Sequence, residues 1–142
     1  MLLSGNNIYK LDGKNRFSAS PALLKDGRKF YFTKGLEGCI LLYPQSQWRR
    51  ILEKISSLNY FQSSDRKFLR LFFAGAGKAS VDSHKRLLLP AGLKKHAGIK
   101  SKILLVKIAL WWEIWAPERF AKYEETHKSA YERYTEKLKI KI

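Results

Sequence analysis

A chain of 142 residues with a formal net charge of +16 and a pI of about 10.1 favours polyanionic partners: DNA, RNA or an anionic membrane surface. Its 45% apolar content can bury a core and excludes global disorder, and its length suits one compact domain or two small, mutually dependent ones. A single cysteine, Cys39, excludes an intrachain disulfide, argues against a cysteine metal site and fits a reduced cytoplasmic protein.

In chain order, Met1-Leu2-Leu3 gives way at once to polar Ser4-Gly5-Asn6-Asn7, so no signal peptide is expected. Ile8 to Leu11 reads as a half-buried strand, and Gly13 and Asn15, which tolerate left-handed backbone, mark a turn after it. A second strand leads to Pro21, suited to a first helical position with Ser20 as N-cap. Phe30 to Thr33 and Ile40 to Tyr43 are aromatic and β-branched runs split by Gly35 and Gly38, a hairpin signal. One helix is predicted from about Ser46 to Leu58, with Trp48, Ile51, Leu52 and Ile55 on one face. Another runs from about Ser64 to Phe73, opened by Ser63 or Ser64 and closed by Gly75 and Gly77.

The same order then recurs. Pro90 again suits a first helical position, and Lys102 to Lys107 with Trp111 to Trp115 forms the second hairpin. The last helix begins at Pro117 and reaches Leu138, with Phe120, Tyr123, Tyr131, Tyr134 and Leu138 as its apolar stripe. The most apolar run, Ile103 to Trp115, is too short to span a bilayer and contains Lys107 and Glu113, so no membrane partner is expected.

The recurrence is an internal repeat with a period of about 70 residues. Leu11-Asp12-Gly13-Lys14-Asn15-Arg16-Phe17 followed by Pro21-Ala22 matches Val81-Asp82-Ser83-His84-Lys85-Arg86-Leu87 followed by Pro90-Ala91. Further on, Leu41 to Pro44 and Trp48 answer Glu113 to Ala116 and Phe120, an offset of 72. A half-unit of four short strands buries too little apolar surface to stand alone. Two copies can pair their strands into a shared barrel without exposed edges, which predicts one pseudo-twofold domain.

These motifs stand in a specific order and spacing. Beside the two Asp-x-x-x-Arg turns are Thr33 to Cys39 and Leu42-Tyr43-Pro44 within Arg28 to Trp48, Arg70 to Ala76, Lys95 to Ile99, and Glu113-Ile114-Trp115. From Ser4 to about Glu125 the chain resembles the MraZ family of bacterial transcriptional regulators. The resemblance implies a mainly β fold with helices, a pseudo-twofold double-split β-barrel of the SpoVT-AbrB, swapped-hairpin kind. It divides the chain into SpoVT-AbrB-like half-units at 5–48 and 78–122, connecting helices at 49–77 and a C-terminal helix extension at 123–142. It further implies a homo-oligomeric ring, binding to double-stranded DNA at promoter direct repeats upstream of the division and cell-wall gene cluster, usually as a repressor and self-regulator, and nucleoid association.

Three positions depart from the family pattern. The Gly that usually precedes the Arg is Asn15 in one copy and Lys85 in the other. The Pro four residues after the Arg is present as Pro90, whereas the first copy has Ser20 there and Pro21 one position later. The tip Ile108 to Trp112 is more apolar than family tips usually are.

The residues carry their own chemistry. Asp12 and Asp82 can accept hydrogen bonds from the N–H groups of their own turns, orienting each loop. Arg16 and Arg86 can then offer their forks to phosphate or to guanine O6 and N7, with Lys14, His84 and Lys85 adding charge beside them. The plain alternative is a structural ion pair across each turn. His84, His96 and His127 lack metal-ligand spacing, and no acid–base pair or nucleophile motif stands out, so no metal, cofactor or enzymatic activity is expected. Trp111, Trp112 and Trp115 suit core or subunit packing better than base stacking. Two other readings stay open. The charge is spread along the chain, 7 basic against 3 acidic residues in 1–44, 7 against 2 in 45–78 and 14 against 7 in 79–142, as a non-specific nucleic-acid scaffold would have it. The helical stripe and apolar tip would equally suit a module that recruits a protein partner.

Overall fold

Neither copy of the repeat makes a sheet by itself. The computed structural model describes residues 7–139, so most of the polar start and the last three residues lie outside the described residues. Strand β1 (Ile8–Lys10), from the first copy, pairs antiparallel with β7 (Lys102–Ile108) of the second, with Ile8 opposite Leu104. Strand β5 (Gly77–Ser80), which opens the second copy, pairs with β3 (Lys29–Lys34) of the first, with Phe30 opposite Ala79. Each hairpin keeps its own partner: β3 with β4 (Ile40–Pro44), and β7 with β8 (Trp111–Trp115). The six-stranded sheet therefore runs β1-β7-β8-β4-β3-β5. Exchanging the two copies reverses this order and leaves it unchanged. A two-stranded ribbon, β2 (Arg16–Ser18) with β6 (Arg86–Leu88), completes the β-structure.

The pseudo-twofold axis can be placed on two residue pairs. In the ribbon Phe17 faces Leu87, and at the centre of the sheet Leu41 faces Glu113; in both cases a residue meets its own counterpart in the repeat. The sheet curls into a half-barrel, and the fold is the double-split β-barrel of exchanged strands. Phe17, Phe30 and Phe32 from one copy and Leu87, Ile103 and Ile114 from the other fill a single core, so neither half could close without its mate.

Helices cover the outer faces. Helix α2 (Gln45–Ile55) starts directly after Pro44, and α3 (Ser63–Ala74) folds back beside it. Together they close a second cluster of Tyr43, Trp48, Ile55 and Phe72. The long α5 (Pro117–Leu138) has Pro117 in its first turn and packs Phe120 and Tyr123 on Trp115 and Cys39. Burial pushes the Cys39 thiol up to about 12, which keeps it protonated and unreactive. Arg119 Nη1 donates to the carbonyl oxygens of Gly38 (3.0 Å) and His96 (3.2 Å), tying the start of α5 to both copies. Beyond Tyr123 the stripe continues past the sheet, leaving Tyr131, Tyr134 and Leu138 exposed. The three tryptophans of β8 divide among three clusters, with Trp112 in the shared core, Trp115 under α5 and Trp111 beside Tyr43, so they serve packing. No helix of the described residues is long and apolar enough to cross a membrane.

Two local readings change. Pro21 does open α1 (Pro21–Lys25), and Ser20 caps it by accepting from Leu23 N–H at 3.2 Å. Pro90, one position nearer its Arg, takes the place of Ser20 and is itself the N-cap, so α4 (Ala91–His96) begins one residue later. Gly75 caps α3, but Gly77 belongs to β5, where it faces Phe32 across the ladder. Long-range pairing there outweighs the turn preference of glycine. Between β3 and β4 the expected hairpin connection is a one-turn 3-10 helix, Leu36–Gly38, with Glu37 at φ 60° and Gly38 at φ 85°.

Candidate nucleic-acid interface

Each Asp-x-x-x-Arg segment closes on itself through short-range hydrogen bonds. Asp12 Oδ1 accepts from the N–H groups of Lys14 and Arg16, both at 2.9 Å, and Oδ2 accepts from Arg16 Nε at 2.9 Å. The backbone adds Asp12 N–H to Arg16 O (2.9 Å) and Asn15 N–H to Asp12 O (3.0 Å). The second copy repeats the pattern: Asp82 Oδ1 accepts from His84 N–H (2.9 Å) and Arg86 N–H (2.8 Å), and Oδ2 from Arg86 Nε (3.2 Å). Asn15 (φ 62°) and Lys85 (φ 60°) both take the left-handed conformation, so the loss of glycine leaves the turn intact. That conformation costs a non-glycine residue about 1–2 kcal/mol, which the carboxylate's hydrogen bonds offset.

Both aspartates are held below the ordinary 3.8, chiefly by N–H donation from the backbone of Arg16 to Asp12 and of Arg86 to Asp82. A carboxylate depressed by folding gives stability that is present above 3.8 and lost as pH falls through the lower folded value. Asp12→Asn combined with Asp82→Asn is therefore expected to flatten the acid loss of stability, read as urea midpoints from pH about 5 down to about 2.5. Parallel curves for parent and variant would show that the carboxylates do not hold the turns.

The ribbon carries the two turns side by side. Phe17 and Leu87 point inward and are 1% and 0% exposed. Strand alternation then puts Arg16, Ser18, Arg86 and Leu88 on the outward face, with Arg16 opposite Leu88 and Ser18 opposite Arg86. Two further bonds across the axis, Ala19 N–H to Lys85 O and Leu89 N–H to Asn15 O, both 2.8 Å, fix the turns relative to each other. The side chains of Arg16 and Arg86 are each 27% exposed. Nε is engaged by the neighbouring Asp; the Nη groups of Arg16 make no hydrogen bond among the described residues. Arg86 Nη1 lies 3.6 Å from Asp12 Oδ2 across the axis, and Nη2 lies 3.5 Å from His84 Nδ1. Lys14, His84 and Lys85 are exposed around this pair. The structure thus brings all seven sequence-derived residues to one end of the molecule.

Two residues went unnoticed in the sequence. Lys94 Nζ donates to Asn15 Oδ1 at 2.8 Å, and Arg28 Nη2 donates to the Asp82 carbonyl at 2.9 Å. Each supports the turn of the other copy, and the only available signal was a basic residue within an otherwise recognisable segment. The remaining histidines lie elsewhere: His96 Nε2 donates to the Cys39 carbonyl at 3.1 Å, and His127 packs on Tyr123. No group of metal-binding side chains occurs among the described residues.

Comparison with known proteins agrees with the duplicated architecture. The model of the family described as MraZ protein matches twice, over residues 2–71 and 72–140. A protein of Heliobacterium modesticaldum named transcriptional regulator MraZ is 37% identical over 139 residues, 96% of each chain. Proteins of the same name from Syntrophomonas wolfei and Clostridium beijerinckii are each 38% identical, over 94% and 87% of both chains respectively. The chain belongs to the MraZ family.

Proposed function

We propose that the protein is a DNA-binding transcriptional regulator and that the β2–β6 ribbon, with its two turns, is the surface that meets DNA. One observation carries the reading: Arg16 and Arg86, related by the pseudo-twofold axis, stand on the outward face of a single ribbon with each Nε anchored to an Asp. Fixing Nε removes side-chain freedom before binding and leaves Nη atoms for phosphate oxygens or for guanine O6 and N7. Lys14, His84 and Lys85 supply further contacts to the backbone. A two-stranded ribbon has the width that a major groove admits.

One such face reads few base pairs. A homo-oligomeric ring would present several faces to successive direct repeats, so that weak contacts combine through effective concentration. The exposed Tyr131, Tyr134, Phe68 and Leu71 offer apolar surface for joining subunits. On this reading the targets are promoter repeats upstream of the division and cell-wall gene cluster, the action is repression that includes the protein's own gene, and the protein resides in the cytoplasm with the nucleoid. The spread of positive charge favours a second reading, a scaffold indifferent to sequence. Equal competition by promoter duplex, random duplex and structured RNA would favour the scaffold.

The test is a titration of promoter duplex with parent, Arg16→Ala and Arg86→Ala. Each variant is expected to lose about 1–3 kcal/mol of binding with its circular dichroism unchanged. Log affinity of the parent should fall with log salt by about 0.9 per phosphate neutralised. Parent-like binding by both variants would remove the ribbon from the interface.

A further inference from the structure

We propose that Leu88 is a specificity-determining residue of this face, one that packs on a thymine methyl group beside the Arg16 contact and gives the interface a direction along the duplex. The proposal rests on the ribbon being the DNA-contacting surface.

The pseudo-twofold axis maps Arg16 onto Arg86 and Ser18 onto Leu88, since Phe17 faces its own counterpart Leu87. The arginines agree in kind and in their Asp anchors. The other pair does not: one corner of the outward face is a small hydroxyl and the other a leucine that is 56% exposed. Leu88 lies directly across the ladder from Arg16, so their Cβ atoms stand about 5 Å apart on the same face. A ligand that engages the Arg16 guanidinium must then meet Leu88 next to it.

DNA offers an apolar group in the groove where arginine reads base edges. The C5-methyl of thymine lies in the major groove among the polar base edges that arginine reads. At the opposite corner Ser18 presents a hydroxyl, which can bond to either donor or acceptor edges. Two asymmetric contacts reinforce the difference between the turns. Lys94 braces Asn15, while its counterpart near Lys85 is Leu24, which cannot; and Arg86 reaches Asp12 across the axis. A face with true twofold symmetry would be satisfied by an inverted half-site pair. A face with one apolar corner prefers one orientation along the duplex.

The experiment begins with a duplex selected from a random-sequence library by the full-length parent. Each dT of that duplex is then replaced in turn by dU, which lacks only the methyl group. The parent is expected to lose about fourfold in affinity at one position of each bound repeat, the equivalent of one buried methyl. Leu88→Ser should bind the dT and dU forms of that position alike. Parent insensitivity at every position, or a Leu88→Ser response equal to the parent's, would overturn the proposal. So would a change in the sedimentation of Leu88→Ser with uniformly weaker binding, which would mark Leu88 as a subunit contact. Arg16→Ala and Arg86→Ala are run on the same duplex. If they bind as the parent does, the DNA face itself is misplaced; if they weaken while Leu88→Ser behaves as the parent, only the role of Leu88 fails.

Discussion

Phe17→Ala is expected to cost about 3–5 kcal/mol of folding free energy, the largest loss of any single ribbon substitution. Phe17 is buried at the point where the two copies meet, opposite Leu87 and within the core that both halves share. Removing its ring leaves a cavity that neither strand can fill, because β2 and β6 have three residues each and each is anchored at its first residue by its own Asp turn. The hydrogen-bonded loops resist the collapse that would soften the loss. Urea unfolding of parent and variant tests this, with Leu88→Ser as the control. That exposed neighbour of Leu87 should change stability by no more than about 0.5 kcal/mol. A loss below about 1 kcal/mol for Phe17→Ala would mean that the copies are not held together at the ribbon.

Trp48→Ala is expected to destabilise by a similar amount, about 3–5 kcal/mol, but with a different spatial signature. The Trp48 indole is stacked between Tyr31 (4.9 Å between ring centroids, planes 6° apart) and Phe72 (5.5 Å, 7°). It is the contact through which α3 is held to the sheet by way of α2. The buried Thr33 hydroxyl donates to the Phe72 carbonyl oxygen at 2.6 Å, a second tie at the same place. Without the indole, both ties lose their backing. Amide hydrogen exchange should accelerate along α3 and the end of α2 before it does in β2 and β6. Uniform acceleration across the chain would show instead that the helical layer and the barrel unfold as one unit.

Much of the candidate interface was legible because its chemistry is local. An Asp that bonds the N–H groups two and four positions ahead, and the side chain four ahead, needs no partner beyond its own turn. The pattern Asp-x-x-x-Arg therefore carries its geometry with it, and a second copy of the pattern announces a second turn. Strand alternation and helical stripes were readable for the same reason, and α5 follows its forecast limits, Pro117–Leu138. Where the reading slipped, a distant segment decided the outcome. Gly77 looked like the close of a helix until β3 claimed it as a strand residue. The braces Lys94 and Arg28 act on turns far away in the chain, so nothing near them in sequence names their targets.

The sequence by itself determined that two equivalent arginine-bearing turns exist, that the chain is strongly basic, and that the repeat forms one mainly β domain. The tertiary structure alone decided that β1 crosses to β7 and β5 to β3. It also decided that the two turns lie on one ribbon and that Leu88 remains on the outside. The reason is physical. A turn is closed by atoms a few bonds apart, whereas strand exchange and the exposure of a single leucine depend on burying both copies' apolar faces at once, a balance spread over contacts from end to end of the chain.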